Sequence, residues 1–159
     1  MLMPTDQQSL RSSGSGDPKH LILYDGVCGL CNRLNQFVLK RDKRNLFRFA
    51  PLQGSLARQL LLREQRDPTD LDTVYLIANH ETADRRLYAK ADAILFILGA
   101  VGDIWSIAAA IARVFPRAFL DWAYDRVARN RYRIFGKYDR CPLPSPQTRA
   151  KFLDLPQER

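Results

Sequence analysis

The chain has 159 residues, 46% of them hydrophobic, which is enough for one domain with a real core. Its 25 Lys and Arg against 17 Asp and Glu give a net charge of +8, dispersed along the chain and without a nucleic-acid motif, so no specific nucleic-acid partner is expected. Three cysteines are odd in number and too few for a disulfide-stapled secreted mini-domain; they give weight to a catalytic or metal role.

Residues 1–18 are rich in Ser, Gly, Gln and Pro, lack the basic and apolar regions of a secretory signal, and are expected to be a disordered tail on a cytoplasmic protein. The run HLILY, 20–24, ends in Asp-Gly and predicts a buried strand followed by a turn. From Cys31 to Lys43, Leu34, Phe37, Val38 and Leu39 recur at helical spacing with cations toward the far end, as the helix dipole favours. LFRFA, 46–50, alternates as a second strand that Pro51 should stop, and 53–64 predicts a second helix. TVYLIA, 73–78, predicts a third strand and RLYA, 86–89, a fourth beside it. Helices follow over 90–98, 104–115 and 117–130.

The stretch 93–115 imitates a membrane span, but Gly99, Gly102 and Asp103 interrupt it, and a charge at mid-bilayer costs about 3 kcal/mol or more. Two core helices joined at Gly102-Asp103 are expected instead. The order of elements is that of an α/β, thioredoxin-like βαβ-αββ-α core with appended C-terminal helices, its first two strands parallel. The domain is expected over 19–144, with 145–159 a C-terminal tail.

The chemistry concentrates in YDGVCGLCN, 24–32. Cys28 falls in the loop before the first helical turn, where unpaired N–H groups favour a thiolate. Gly26 and Gly29 are expected to let the chain turn and to leave Cys28 uncovered. Cys31 lies one turn on, so attack by Cys28 on a disulfide and release by Cys31 is the natural cycle. Asp25 has three open readings: a base for the Cys31 thiol, a carboxylate that raises a thiol pKa, or a turn residue bonding loop N–H groups. A zinc site would need ligands from Cys141, His20 and His80, which the layout scatters, so no metal is expected. A phosphatase reading fails because Leu23 stands where a nucleophilic carboxylate is needed. Nothing indicates a nicotinamide, flavin or haem cofactor.

YDGVCGLCN resembles the signature of the DCC family of thiol-disulfide oxidoreductases, named for Asp-x-x-Cys-x-x-Cys. YAKADAILFIL, 88–98, and YDRVARNRYRIFGKYDRCPLP, 124–144, resemble later parts of the same family. The resemblance implies a thioredoxin-like fold and a redox role carried by Asp25, Cys28 and Cys31. Its implied substrates are disulfide-containing proteins or small-molecule thiols. The chain departs from thioredoxins before the third strand: they carry a cis-proline there, whereas this chain has DLDT, with Pro68 several positions earlier.

Within the last motif, helical spacing puts Arg126, Arg129 and Arg133 on one face. Arg129 and Arg133 are auxiliary candidates for an anionic group, against the plainer reading of a solvated face with ion pairs to Asp121 and Asp125. A non-enzymatic module that docks an acidic partner or a membrane surface through this basic face is the alternative function. Gly136, Pro142 and Pro144 should end the helix and extend the chain, carrying Cys141 back toward the dithiol as a structural or auxiliary thiol.

Overall fold

The computed structural model describes residues 20–155. The segment 1–18, expected to be disordered, lies outside the described residues. Four strands form one sheet in the order β2-β1-β3-β4: β1 (His20–Tyr24), β2 (Phe47–Pro51), β3 (Tyr75–Ala78) and β4 (Arg86–Ala89). β1 runs parallel to β2 and antiparallel to β3, and β4 returns antiparallel to β3. Helices α1 (Gly29–Arg41) and α2 (Ser55–Arg63) follow the first two strands, and α3 (Lys90–Val101), α4 (Asp103–Ala112) and α5 (Arg117–Phe135) follow the last. The topology is the α/β core with C-terminal helices that the order of apolar runs predicts.

β1 is apolar without alternation because it is central and covered on both faces. Ile22 and Tyr24 pack with Phe47, Phe49 and Leu76 under α1 and α3. Leu21 and Leu23 point the other way and pack with Ala50, Tyr75 and Ile77 under Ala57 and Leu61 of α2. Burying each of the larger side chains is worth roughly 1.5–3 kcal/mol, which fixes the strand register, since a one-residue slip would exchange the two faces. Pro51 is the last residue of β2 rather than the residue beyond it; β2 is an edge strand, where a missing N–H is tolerated.

The expected pair of core helices is half right. α3 buries Ala91, Ala93, Leu95 and Ile97. α4 buries only Ala109 and leaves Ile104, Ile107 and Ile111 exposed, so its apolar composition serves the surface and not the core. At the C-terminus, Phe152 stacks on Phe49 at 4.9 Å, Leu153 N–H donates to the Phe49 carbonyl at 2.7 Å, and the Asp154 carboxylate accepts from Leu56 N–H at the start of α2 at 2.7 Å. The segment expected as a plain tail thus clasps the β2 edge.

Candidate active site

β1 ends at Tyr24, and residues 25–28 turn the chain into α1. Asn32 holds that turn, its Nδ2 donating to the Gly26 and Cys28 carbonyls at 3.0 and 2.9 Å. Gln53, just beyond β2, holds it from the other side: it accepts from Gly26 N–H at 3.0 Å and donates to Asp25 Oδ1 at 2.6 Å. Cys28 is the N-cap of α1, and its sulfur accepts from the Cys31 N–H at 3.4 Å. The helix therefore presents its unpaired donors to this sulfur.

The two thiols are unequal. The Cys28 pKa is lowered to about 6, first by the hydrogen bond from the Cys31 thiol and then by the Cys31 N–H, the Arg131 charge and the Leu30 backbone, against the opposing effect of burial. Cys31 is pushed well above the ordinary thiol range by donating that bond, by burial and by the Cys28 charge. At neutral pH the pair is a thiolate at Cys28 and a protonated thiol at Cys31, the division of labour a dithiol exchange needs.

Asp25 is buried at the base of this turn. Its Oδ1 accepts from Val27 N–H at 3.1 Å as well as from Gln53; its Oδ2 accepts from Arg131 Nη2 at 3.2 Å and from the Tyr132 hydroxyl. Arg131, also buried, donates further to Asp72 Oδ1 at 2.8 Å and to the Leu71 and Ala128 carbonyls at 3.0 and 2.9 Å. Burial works against its charge, but the bonds to Asp72, Tyr132 and Asp25 outweigh burial and hold its pKa above the ordinary value. Burial and the bond to Asp25 push the Tyr132 hydroxyl up to about 12. The loop that in thioredoxins leads to a cis-proline is here, at Leu71 and Asp72, the dock for an arginine.

The face of α5 that carries Arg126, Arg129 and Arg133 is the solvated one, as the plainer reading expects. Arg129 and Arg133 are exposed, and the arginine that enters the site is Arg131, on the opposite side. Asp125 pairs with Lys90 at 3.0 Å, not with one of these arginines. Gln53, Asp72, Arg131 and Tyr132 were missed as site residues. Arg131 and Tyr132 lie within the motif 124–144, and their place in that motif is the one signal in the sequence that could have pointed to them.

The expectation of an uncovered Cys28 is also corrected: Cys28 is fully buried. The chain leaving α5 runs over it. Gly136 O accepts from Gly29 N–H at 3.1 Å, Tyr138 N–H donates to Val27 O at 2.7 Å, and Lys137 pairs with Cys28 as an isolated antiparallel bridge. Gly29 is glycine for this approach, because a Cβ there would stand 2.1 Å from the Phe135 carbonyl oxygen. The same arm brings Cys141 onto the turn, its sulfur 2.8 Å from where a Cβ on Gly26 would be. Burial raises the Cys141 pKa, so it is the thiol form that lies there.

Helices α1, α3 and α5, with the segment leading into β3, line an open cavity of about 420 Å³ whose wall is mostly leucine, isoleucine, valine and alanine, with Asp72 and Tyr124 also on it. Cys31 and Arg131 reach its wall and Cys28 does not. Among the described residues no group of three or more His, Cys, Asp or Glu side chains is arranged to hold a metal ion, and no helix is long and apolar enough to cross a membrane.

Comparison with known proteins shows the family. The sequence model of the DCC1-like thiol-disulfide oxidoreductases matches residues 22–137. The uncharacterized protein YuxK of Bacillus subtilis is 35% identical over 136 residues, covering 86% of this chain and 95% of that protein. A DCC family protein of Arabidopsis thaliana, described as chloroplastic, is 36% identical over 127 residues, covering 80% of this chain and 71% of that protein. The search of solved structures returned no significant match.

Proposed function

The chain belongs to the DCC1-like thiol-disulfide oxidoreductase family, and from that premise we propose that it exchanges disulfides through a Cys28–Cys31 couple with Cys28 as nucleophile. The observation that carries the reading is the Cys28 sulfur at the N-cap of α1, accepting from the Cys31 N–H, where the Cys31 thiol and the Arg131 charge favour its thiolate. The Cys28 thiolate attacks one sulfur of a substrate disulfide, and the other sulfur leaves as a thiolate. Cys31 then attacks Cys28 in the mixed disulfide, the second substrate sulfur departs, and the Cys31 proton passes to a departing thiolate. The protein loses two electrons and the substrate gains them. Asp25 serves as a positioning residue: with four donors on its two oxygens it anchors Arg131 rather than accepting the Cys31 proton. A protein disulfide can reach Cys28 only when the arm at 136–138 lifts. Equilibration in graded glutathione buffers, with thiol counting and peptide mass mapping, tests the couple. An intramolecular Cys28–Cys31 disulfide is expected, with Cys28 alkylating first in the reduced protein; its absence at every ratio, or Cys31 alkylating first, overturns the reading. The count of three cysteines suits a reducing, cytoplasmic site of action, which cell fractionation tests.

A second reading, compatible with the first, concerns docking. Ile104, Ile107, Ile111, Phe115, Phe119 and Trp122 are each about half exposed or more, and rings link Phe115 to Phe119 and Phe119 to Trp122 at 5.6 and 6.0 Å. Residues 104–120 contain no Asp or Glu and include Arg113 and Arg117. We infer that this apolar face, and not the arginine face of α5, rests on an anionic bilayer surface; like charges on two copies oppose self-association there. Wild-type protein should float with phosphatidylserine-containing vesicles, and Ile107→Glu with Phe119→Glu should abolish flotation while leaving Cys28 alkylation unchanged. Wild-type protein that stays below the vesicles, or a variant that floats equally, overturns the inference.

A further inference from the structure

The site is asymmetric in a way that the proposed exchange does not use. One sulfur, Cys28, lies under the backbone of residues 136–138, and the other, Cys31, forms part of the wall of the apolar cavity. A volume of about 420 Å³ is that of a small-molecule site. Besides Cys31, the wall carries Asp72, Tyr124 and Arg131 among aliphatic side chains.

Building on the dithiol reading, we propose that the cavity is the substrate site and that it takes a small, mainly apolar dithiol, which reduces the oxidised protein by attack at Cys31. One ligand thiolate attacks the Cys31 sulfur, the Cys28–Cys31 bond breaks, and Cys28 leaves as a thiolate. It is the better leaving group, since the thiol of lower pKa departs faster. The second ligand thiol then attacks the ligand sulfur now joined to Cys31, closing a cyclic ligand disulfide. Cys31 departs and keeps one of the two ligand protons; the other goes to solvent. The ligand loses two electrons and the protein gains them. A dithiol completes this within one occupied cavity, whereas glutathione would need a second charged molecule to follow the first into an apolar space.

The test uses the full chain with its Cys28–Cys31 disulfide formed beforehand, so that failure to form that bond condemns the parent reading and leaves this one to be judged only where the bond exists. Hexanethiol at a limiting amount, quenched early with iodoacetamide, captures the mixed disulfide and blocks the freed thiol, and peptide mapping locates both groups. The hexyl group is expected on Cys31 and the carbamidomethyl group on Cys28. Hexane-1,3-dithiol should reduce the protein at least tenfold faster than glutathione at equal thiolate concentration, with a rate that saturates. Ala123→Phe, which fills the cavity from α5, should remove both the saturation and the tenfold preference. A hexyl group on Cys28, or equal rates for the apolar dithiol and glutathione, overturns the proposal. The wild-type measurements decide alone if the variant does not fold.

Discussion

At the Cys28 thiol two influences compete. Burial disfavours charge, and the Cys31 thiol, the helix N–H groups and the Arg131 guanidinium favour it; the favourable set wins and brings the pKa to about 6. The alkylation rate of reduced protein should therefore be nearly flat above neutrality and fall below a midpoint near pH 6, which iodoacetamide kinetics read directly. Because the folded pKa is depressed, the thiolate contributes stability that is fully present above the unfolded thiol value, is lost as pH falls, and is gone below about pH 6. Denaturant melts of the reduced protein at stepped pH should show that slope, and the oxidised protein should lack it. Arg131 has two separable duties. Arg131→Gln removes the charge that lowers the Cys28 pKa and leaves the Asp25 carboxylate without its cation, so the midpoint should rise and stability should drop by about 3–5 kcal/mol. Arg131→Lys restores a charge without the planar fork. It should recover much of the midpoint and little of the stability; an unchanged midpoint in Arg131→Gln would remove Arg131 from the electrostatic account.

Among the elements, the arm from Gly136 to Cys141 governs access. Gly29→Ala would drive a Cβ into the Phe135 carbonyl, so the arm or α1 must shift. The expected result is faster alkylation of Cys28, by about tenfold, as the barrier to local opening falls by about 1.4 kcal/mol, with the Cys28 midpoint held near 6 by the intact helix end. Slower alkylation would mean that the arm does not cover the thiol. How far each element is legible in sequence follows from the same contacts. β1, β3 and the helices beside them announce themselves because their burial has a period, and Asp25, Cys28 and Cys31 lie in one continuous motif. Arg131 does not announce itself: its face of α5 is defined by a carboxylate 106 residues earlier, and periodicity within the helix favours the exposed arginines instead. The burial of Cys28 is equally silent, since its cover is backbone, and backbone carries no residue type. α4 misleads for the opposite reason, as hydropathy cannot distinguish a helix that buries its apolar face from one that leaves it on the surface.

Across the whole molecule the C-terminal third does two jobs in two places. Residues 131–141 complete the dithiol site, through Arg131 and Tyr132 on Asp25 and through the arm over Cys28. Residues 149–154 act elsewhere: Phe152 packs between Tyr24 and Phe49 on the sheet, Lys151 pairs with Asp42 at 3.6 Å, and Asp154 supplies the acceptor that the N-terminus of α2 lacks from its own N-cap, Gly54. Removing everything after Pro144 should therefore cost stability without retuning the thiol. Losing the partly buried Phe152 ring should cost about 2–3 kcal/mol, less than a full core Phe→Ala, and losing the Asp154 cap about a further 1 kcal/mol. Phe152→Ala in the full chain isolates the first contribution, and Asp154→Ala the second. The two contacts touch different elements, β2 and α2, but sit two residues apart on one segment, so the double variant should fall short of the sum. Through all of these changes the Cys28 alkylation midpoint should stay near pH 6, because the groups that lower the Cys28 pKa, and the Arg131 and Tyr132 bonds to Asp25, all come from residues before 144. A midpoint that moves with the truncation would show that the clasp on β2 strains the β1–α1 turn through the sheet, and that the two jobs are one.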